Sequence, residues 1–296
     1  MSISKVDISF RADADILLGG WLFLPEGHGP HPAITMCAGF GGTIHHGLEP
    51  FAVAFAEAGF ATLLHDHRGF GSSGGQPRQD VDPWRQIADW RRAISFLESR
   101  PEVDAMRIGL WGTSYSGGHA LMLGASDRRL KAIVAQVPTI SGYEQGLRRI
   151  PADQLSAVDE ALAQDDRNQL DGEPGYQALV GADPAVPAAF RSQEAIDFML
   201  PAVPDGVWEN MVTLRSSRLA RMYEPGAFVS RVSPTPLMFI VAREDRTTPT
   251  DLALAAYERA LEPKRLVLVP GSHFGIYLTQ RDVAIAAAVE WFHEHL

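Results

Sequence analysis

The chain has 296 residues, of which 46% are hydrophobic and 21% charged, a balance typical of a globular protein that buries a large core. Its formal net charge of -10, with no basic stripe, argues against a nucleic-acid partner and favours a neutral or apolar small molecule over a polyanion. A single cysteine excludes an internal disulfide, and no basic leader or membrane-length apolar run is found, so we expect a cytoplasmic protein without a membrane contact.

The first third of the chain alternates apolar strands with amphipathic helices. Residues from about 5 to 24 predict an antiparallel ribbon, and the apolar strand 31–37 follows it, with Cys37 as a core residue. After Pro83, apolar residues recur at helical spacing on one face: Ile87, Trp90, Ile94 and Leu97. This alternation predicts an α/β fold, with a mostly parallel central sheet and helices on both faces.

A glycine-rich loop, residues 38–42, follows the strand that ends at Cys37. Its backbone can approach a ligand closely, so its N–H groups are candidates for binding a negatively charged oxygen. His45 and His46 come next. Two adjacent histidines in a polar loop are interpreted as exposed, with a position at a pocket mouth as the alternative.

A second loop with a distinctive pattern follows the apolar strand 60–64. Residues 66–75 read Asp-x-Arg-Gly-x-Gly-x-Ser-x-Gly. We interpret Asp66 and Arg68 as residues that lock this loop by hydrogen bonds, and His65 and His67 receive the same structural interpretation.

The segment Gly112-Thr113-Ser114-Tyr115-Ser116 directly follows an apolar run and predicts a buried strand that turns sharply into a helix. Such a nucleophile elbow presents its central serine toward a base, and it needs small residues on both sides. Ser116 occupies a position where glycine is usual. The pattern predicts Ser114 as a nucleophile, with the backbone N–H groups of Tyr115 and Phe40 as the oxyanion donors.

The middle of the chain breaks the alternation between the strand 130–137 and the next one, near residue 236. We therefore predict a core in two parts, residues 1–138 and 233–296, with a helical cap insertion at 139–232. In the insertion, Arg218 is interpreted as an arginine at the edge of an apolar face, with binding of a substrate carboxylate as the alternative.

Two loops after C-terminal strands carry an acid and a histidine. Asp245 follows the strand 236–242, with Glu244 as its close rival, and Thr248 is a predicted helix cap. His273 follows the strand 265–269. The chain order of serine, acid and histidine is that of α/β hydrolases.

Taken together, the elbow, the segment 66–75, the Asp245 loop with Pro249 and the ending Gly271-x-His273 resemble the α/β-hydrolase superfamily. Within it, the chain is similar to the branch of dienelactone hydrolases and acetyl-xylan esterases, which also holds enzymes that hydrolyse or transfer polyketide acyl chains. The resemblance covers nearly the whole chain outside its middle.

These residues predict a serine hydrolase that cleaves carboxylic esters of a small to medium, largely apolar substrate through an acyl-enzyme. Ser114 would attack, His273 would transfer the proton and Asp245 would orient the imidazole. Acyl transfer, or cleavage of an amide or carbon-carbon bond in a polyketide-like or other secondary metabolite, is the alternative, and a non-catalytic binding protein is a third. We expect no cofactor and no metal, since no dinucleotide or P-loop motif is present, and the prediction allows a homodimer.

Overall fold

Two β-sheets are formed in the computed structural model, which describes residues 2–183, 185–201 and 203–296. The strands in chain order are Ile3–Arg11 (β1), Leu17–Pro25 (β2), His31–Cys37 (β3), Ala61–His65 (β4), Val103–Thr113 (β5), Leu130–Gln136 (β6), Tyr176–Val180 (β7), Ala188–Phe190 (β8), Val212–Thr213 (β9), Leu237–Ala242 (β10) and Lys264–Val269 (β11). The larger sheet has the order β1-β2-β4-β3-β5-β6-β10-β11. The pairs β1/β2 and β2/β4 are antiparallel, and the other neighbours in this sheet are parallel.

The α-helices of the described residues follow the strands in the predicted alternation. They are Glu49–Glu57 (α1), Pro83–Glu98 (α2), Tyr115–Ser126 (α3), Gly142–Arg149 (α4), Leu155–Asn168 (α5), Gln193–Met199 (α6), Leu214–Arg221 (α7), Thr250–Arg259 (α8) and Arg281–His295 (α9). Among these helices, none combines the length and the apolar character that crossing a bilayer requires.

Helices cover both faces of the large sheet, as successive side chains of β5 show. The ring of Trp111 packs 5.0 Å from Phe51 of α1. A Cβ on the next residue, Gly112, would lie 2.9 Å from Ala120 of α3. Because neighbouring residues of a strand point to opposite faces, α1 and α3 lie on opposite sides of the sheet. The predicted α/β fold with a mostly parallel sheet is thus confirmed.

The segment 139–232 contains a feature that the sequence did not predict. Besides helices α4 to α7, it holds a small sheet of order β8-β7-β9, with β7 parallel to β8 and antiparallel to β9. Its strands are only five, three and two residues long. Such short strands leave no alternating pattern long enough to be recognised in the sequence.

Candidate active site

Ser114 occupies the turn between β5 and α3, as the elbow pattern predicts. Its φ of 55° and ψ of -119° lie in a strained region for a residue with a side chain. Strand β6 and the loop after it hold this conformation: the Ser114 N–H donates to the Gln136 carbonyl at 2.9 Å, and the Ser114 carbonyl accepts from the Thr139 N–H at 2.9 Å. A Cβ at Gly112 would lie 2.2 Å from the Ser116 carbonyl oxygen, so only glycine fits there.

The structure brings the three predicted catalytic side chains into one hydrogen-bonded line. Nε2 of His273 lies 3.0 Å from Oγ of Ser114, and its Nδ1 lies 2.7 Å from Oδ2 of Asp245. The imidazole and the carboxylate are both buried. A carboxylate can only accept a hydrogen bond, so Nδ1 of His273 carries the hydrogen and donates to Asp245. Nε2 then has a free lone pair and accepts from the serine hydroxyl.

The rival carboxylate, Glu244, lies elsewhere. It is exposed and accepts a hydrogen bond from the Gly271 N–H at 2.6 Å, whereas the histidine contact belongs to Asp245. The geometry therefore favours Asp245 over Glu244 as the acid.

A tight turn fixes the Asp245 carboxylate. Its Oδ1 accepts from the N–H groups of Thr247 and Thr248, both at 2.8 Å. The Thr248 hydroxyl lies 2.9 Å from Oδ2 and 3.2 Å from Nδ1 of His273. The prediction of Thr248 as a helix cap is wrong, because α8 begins at Thr250 without a side-chain cap. Sequence reasoning missed this contact, since a threonine before a helix has the same local pattern in either role.

The two predicted oxyanion donors belong to residues close to Ser114. Tyr115 is the first residue of α3, and Phe40 lies in the glycine-rich loop. A Cβ on Gly39 would be 2.9 Å from the Cβ of Ser114, so this loop passes directly against the serine. In the part of the chain that the structure describes, neither the Phe40 nor the Tyr115 N–H has a hydrogen-bond acceptor. Both groups are available to a ligand oxygen.

Ser116 connects the elbow to that loop. Its hydroxyl donates to the Ala38 carbonyl and lies 2.9 Å from Nε2 of His67. Burial lowers the pKa of His67 to about 4, so the ring is neutral at physiological pH. The serine at this position thus forms a buried link between helix α3 and the loop that carries Phe40.

The structural interpretation of the loop 66–75 is confirmed. Asp66 accepts from the N–H groups of Ile44 at 2.9 Å and Ser72 at 3.0 Å, and Arg68 forms a two-pronged ion pair with buried Asp89. His65 is buried beside the Cys37 thiol, with Nε2 at 3.1 Å from Sγ.

The interpretation of His46 as exposed is wrong. The ring is buried, and its Nδ1 accepts from the Thr43 N–H at 2.9 Å. It lines a pocket next to Ser114, and burial lowers its pKa to about 4. His45 is half-buried, with its ring 5.0 Å from that of Trp21. Which of the two neighbouring histidines is buried depends on the tertiary structure.

Ser114 lies where two cavities meet. The smaller one, of about 50 Å³, is largely apolar, with Leu179, Phe198 and Phe274 in its wall. The larger one, of about 600 Å³, is lined by α4, α5, β7, β8 and α7 together with Ser114. The segment 139–232 therefore supplies most of the wall of the larger cavity.

Arg218 does not take part in either cavity. Its guanidinium pairs with Asp166, a neighbour on α5, and neither cavity includes it in its lining. The alternative of a substrate carboxylate at Arg218 is therefore not supported.

Several known proteins are similar to this chain in sequence. The profile of the X-Pro dipeptidyl-peptidase (S15) family matches residues 15–275. The quorum-quenching protein AidA of Acinetobacter baumannii is 32% identical over 93% of this chain and 90% of its own length. A thiohydrolase of Eupenicillium brefeldianum is 28% identical over 97% of this chain and 92% of its own.

A solved structure shares the whole architecture. The α/β hydrolase GrgF of Penicillium sp. sh18 superposes with a TM-score of 0.84 at 29% identity, covering 99% of both chains. The Penicillium polyketide transferase grgF is also similar in sequence, at 32% identity over 91% of this chain and 89% of the relative.

Proposed function

Because the chain belongs to the X-Pro dipeptidyl-peptidase (S15) family of the α/β-hydrolase superfamily, we propose that it is a serine hydrolase that cleaves carboxylic esters through an acyl-enzyme. The observation that carries the proposal is the hydrogen-bonded line Ser114, His273, Asp245, which opens to both cavities at its serine end.

In the first half of the proposed reaction, Oγ of Ser114 attacks the ester carbonyl while Nε2 of His273 takes its proton. The negative charge that develops on the carbonyl oxygen is stabilised by the N–H groups of Phe40 and Tyr115. The imidazolium, held by Asp245, then protonates the leaving alkoxide. The alcohol departs and the acyl group stays on Ser114.

In the second half, a water molecule attacks the acyl carbon and gives one proton to Nε2 of His273. The tetrahedral intermediate collapses, the bond to Oγ breaks, and the proton returns to Ser114. The free acid leaves. Each group ends in its starting protonation state, so no cofactor is required by the balance of this reaction.

Ester cleavage fits the cavities better than the dipeptidase reaction in the family's name. A dipeptidase must bind the positively charged amino group of a peptide N-terminus, which calls for a carboxylate in the cavity. Among the described residues, neither cavity has Asp or Glu in its lining. We therefore propose esters rather than peptides as the substrates.

We also propose that residues 139–232 act as a cap over the site. Helices α4, α5 and α7 line the larger cavity, and Trp208 donates to the Gly41 carbonyl at 2.8 Å. A cap over the site would favour a second candidate, transfer of the acyl group from an ester or thioester to an alcohol or amine, since a covered acyl-enzyme is shielded from water. Adding an alcohol or amine acceptor and comparing acylated product with free acid separates transfer from hydrolysis.

A test of the nucleophile is intact-mass analysis after treatment with a fluorophosphonate. The wild type should gain one adduct and Ser114→Ala none. The same substitution should lower kcat for an activated ester by about a millionfold, the scale known for a protease triad. A Ser114→Ala protein that keeps its esterase activity would move the nucleophile elsewhere.

The acid is tested by a matched pair of neighbouring carboxylates. Asp245→Asn should lower kcat by about ten-thousandfold, because the amide cannot hold the imidazole in the required tautomer. Glu244→Gln serves as the control and should change kcat by less than about twofold, since the Glu244 carboxylate accepts from the Gly271 N–H and, among the described residues, forms no hydrogen bond with His273. The reverse ranking would assign the acid to Glu244.

A further inference from the structure

The larger cavity has a charge pattern opposite to that of the chain. The chain has a net charge of -10, yet within the described residues the cavity lining includes two arginines, Arg149 and Arg221, and no Asp, Glu or Lys. The Nη1 of Arg221 is paired with Asp159 at 2.6 Å. The charge of Arg149 is therefore the one that a ligand in this cavity meets.

Arg149 is the last residue of α4. Its Nη2 donates to the Thr247 carbonyl at 2.8 Å, and its guanidinium carbon lies 4.8 Å from the centre of the Phe190 ring. It forms no ion pair with any described carboxylate. The residue is exposed to solvent, and it belongs to the lining of the larger cavity. An exposed arginine is a cation at neutral pH.

Arg149 is connected to the reacting groups on two sides. Phe190 lines both cavities, and its ring lies 5.9 Å from that of Phe40, the proposed oxyanion residue. Thr247, which accepts from Arg149, donates its own N–H to Asp245. Arg149 and Ser114 also line the same cavity, so one substrate can contact both residues.

A second polar group points to the same ligand. Gln145 is one helical turn before Arg149 on α4, so both lie on the same helix face and both line the cavity. Its side chain is buried, and its Nε2 has no hydrogen-bond partner among the residues described. A buried donor without an acceptor is costly, and a turn of this amide toward the cavity would let an acceptor on a ligand remove that cost.

From this geometry we propose that the substrate carries a single carboxylate, which Arg149 binds in the larger cavity with Gln145 beside it. The inference rests on the proposed function and refines its substrate class, from a neutral ester to a monoanionic one. The planar guanidinium offers parallel N–H groups that match the two oxygens of a carboxylate. A dianion such as phosphate would bring a second charge that the described lining does not balance.

The test compares three activated esters with the same acyl length. Para-nitrophenyl hexanoate is neutral, the para-nitrophenyl monoester of adipic acid carries the carboxylate on the acyl chain, and the hexanoate of a carboxylated nitrophenol carries it on the leaving group. We expect kcat/KM for one of the two charged esters to exceed that of the neutral ester by about tenfold or more. Which ester is preferred identifies the half of the substrate that enters the larger cavity.

Arg149→Gln should lower kcat/KM for the preferred charged ester by about 10-fold to 100-fold and change the neutral ester by less than about threefold. Arg148→Gln is the matched control. Arg148 precedes Arg149 on α4, and on the surface it forms an ion pair of 2.7 Å with Asp251 of α8. It therefore also holds α4 in place, but it does not line the cavity. It should leave the preference intact.

A purely structural role for Arg149, as a tether of α4 to Thr247, gives a different result. The loss would then be equal for neutral and charged esters and would appear in kcat. That outcome, or a wild type without preference for either charged ester, would overturn the inference. Arg149→Lys should keep part of the preference, because the charge remains while the two-pronged geometry is lost.

A binding measurement separates this inference from the proposed function. Calorimetric titration of Ser114→Ala with monomethyl adipate and dimethyl adipate, and with the hexanoates of meta-hydroxybenzoate and phenol, needs no turnover. One charged compound should bind about tenfold tighter than its neutral partner, and Arg149→Gln in the same background should abolish the difference. Equal binding of both pairs refutes the carboxylate site even if Ser114 is labelled. Selective binding without labelling keeps the carboxylate site and refutes the hydrolase.

Discussion

At the scale of single residues, the hydroxyl of Ser116 does two things at once. The residue is small enough for the position after the elbow turn. Its hydroxyl is hydrogen-bonded to both the Ala38 carbonyl and the His67 ring. Since Ala38 lies two residues before Phe40, this bond fixes the backbone on which the proposed oxyanion donor lies. A glycine here would satisfy the space requirement and leave the loop without that anchor.

We predict that Ser116→Ala lowers kcat for an activated ester by about fivefold to tenfold with little change in KM. The lost hydrogen bond contributes about 1 kcal/mol, and a looser Phe40 N–H weakens stabilisation of the transition state more than of the bound ester. Steady-state kinetics and the rate of fluorophosphonate labelling measure the effect. Should KM rise while kcat stays constant, Ser116 would act on substrate binding instead.

At the scale of elements, the proposed catalytic residues lie in loops at the carboxyl ends of parallel strands. Phe40 follows β3, Ser114 follows β5, Asp245 follows β10 and His273 follows β11. Parallel strands end at the same edge of a sheet, so loops distant in sequence meet there. Helices α4, α5 and α7 of the segment 139–232 line the larger cavity at this edge.

The proposed role of these helices in substrate size is tested on α5. Ala161 lines the larger cavity, and Ala161→Phe should fill part of it. We expect kcat/KM for an octanoate ester to fall by about tenfold or more, with less than about threefold change for an acetate ester.

The control for this substitution is Ala163→Phe on the same helix, which lies outside the cavity lining. Thermal unfolding should first show that both variants are folded. If the acetate and octanoate esters lose activity equally, or if Ala163→Phe has the same effect, the cap does not select chain length.

At the scale of the whole molecule, buried titratable groups make stability depend on pH. Burial lowers the pKa of His46 and His67 to about 4, and lowers those of His65 and His119 well below the usual value. The unfolded chain therefore binds more protons than the folded one between about pH 6.5 and pH 4. Burial also raises the pKa of Asp66 to about 6 and raises that of Asp89, and these two groups act in the opposite direction. The histidines with a lowered pKa outnumber them, since His45 and His295 belong to the same group.

We predict that the free energy of unfolding is highest above about pH 6.5 and falls as the pH approaches 4, by about 3 kcal/mol for His67 alone. Urea unfolding at about pH 7 and about pH 5 measures the loss. His67→Asn, which cannot titrate, should flatten the dependence. Stability that is constant or rises on acidification would contradict the prediction.

The local sequence pattern was enough to predict the fold class and the loops that carry the proposed catalytic residues. The alternation of strands and helices, the elbow around Ser114 and the loops of Asp245 and His273 could be read directly, because periodicity, glycine placement and chain order are properties of neighbouring residues. The structure adds the distances between the three side chains, and their catalytic roles stay predictions that the labelling experiment tests.

Features that depend on long-range contacts were beyond the sequence. His46 and His45 differ in burial although they are neighbours, and Thr248 contacts Asp245 where its pattern predicts a helix cap. The arginine that the sequence offered for a carboxylate, Arg218, pairs with Asp166, whereas Arg149 borders the cavity. The sequence thus determined which reactive side chains lie in the loops after the strands. Tertiary structure decided which side chains face the ligand, because that depends on residues far apart in the chain.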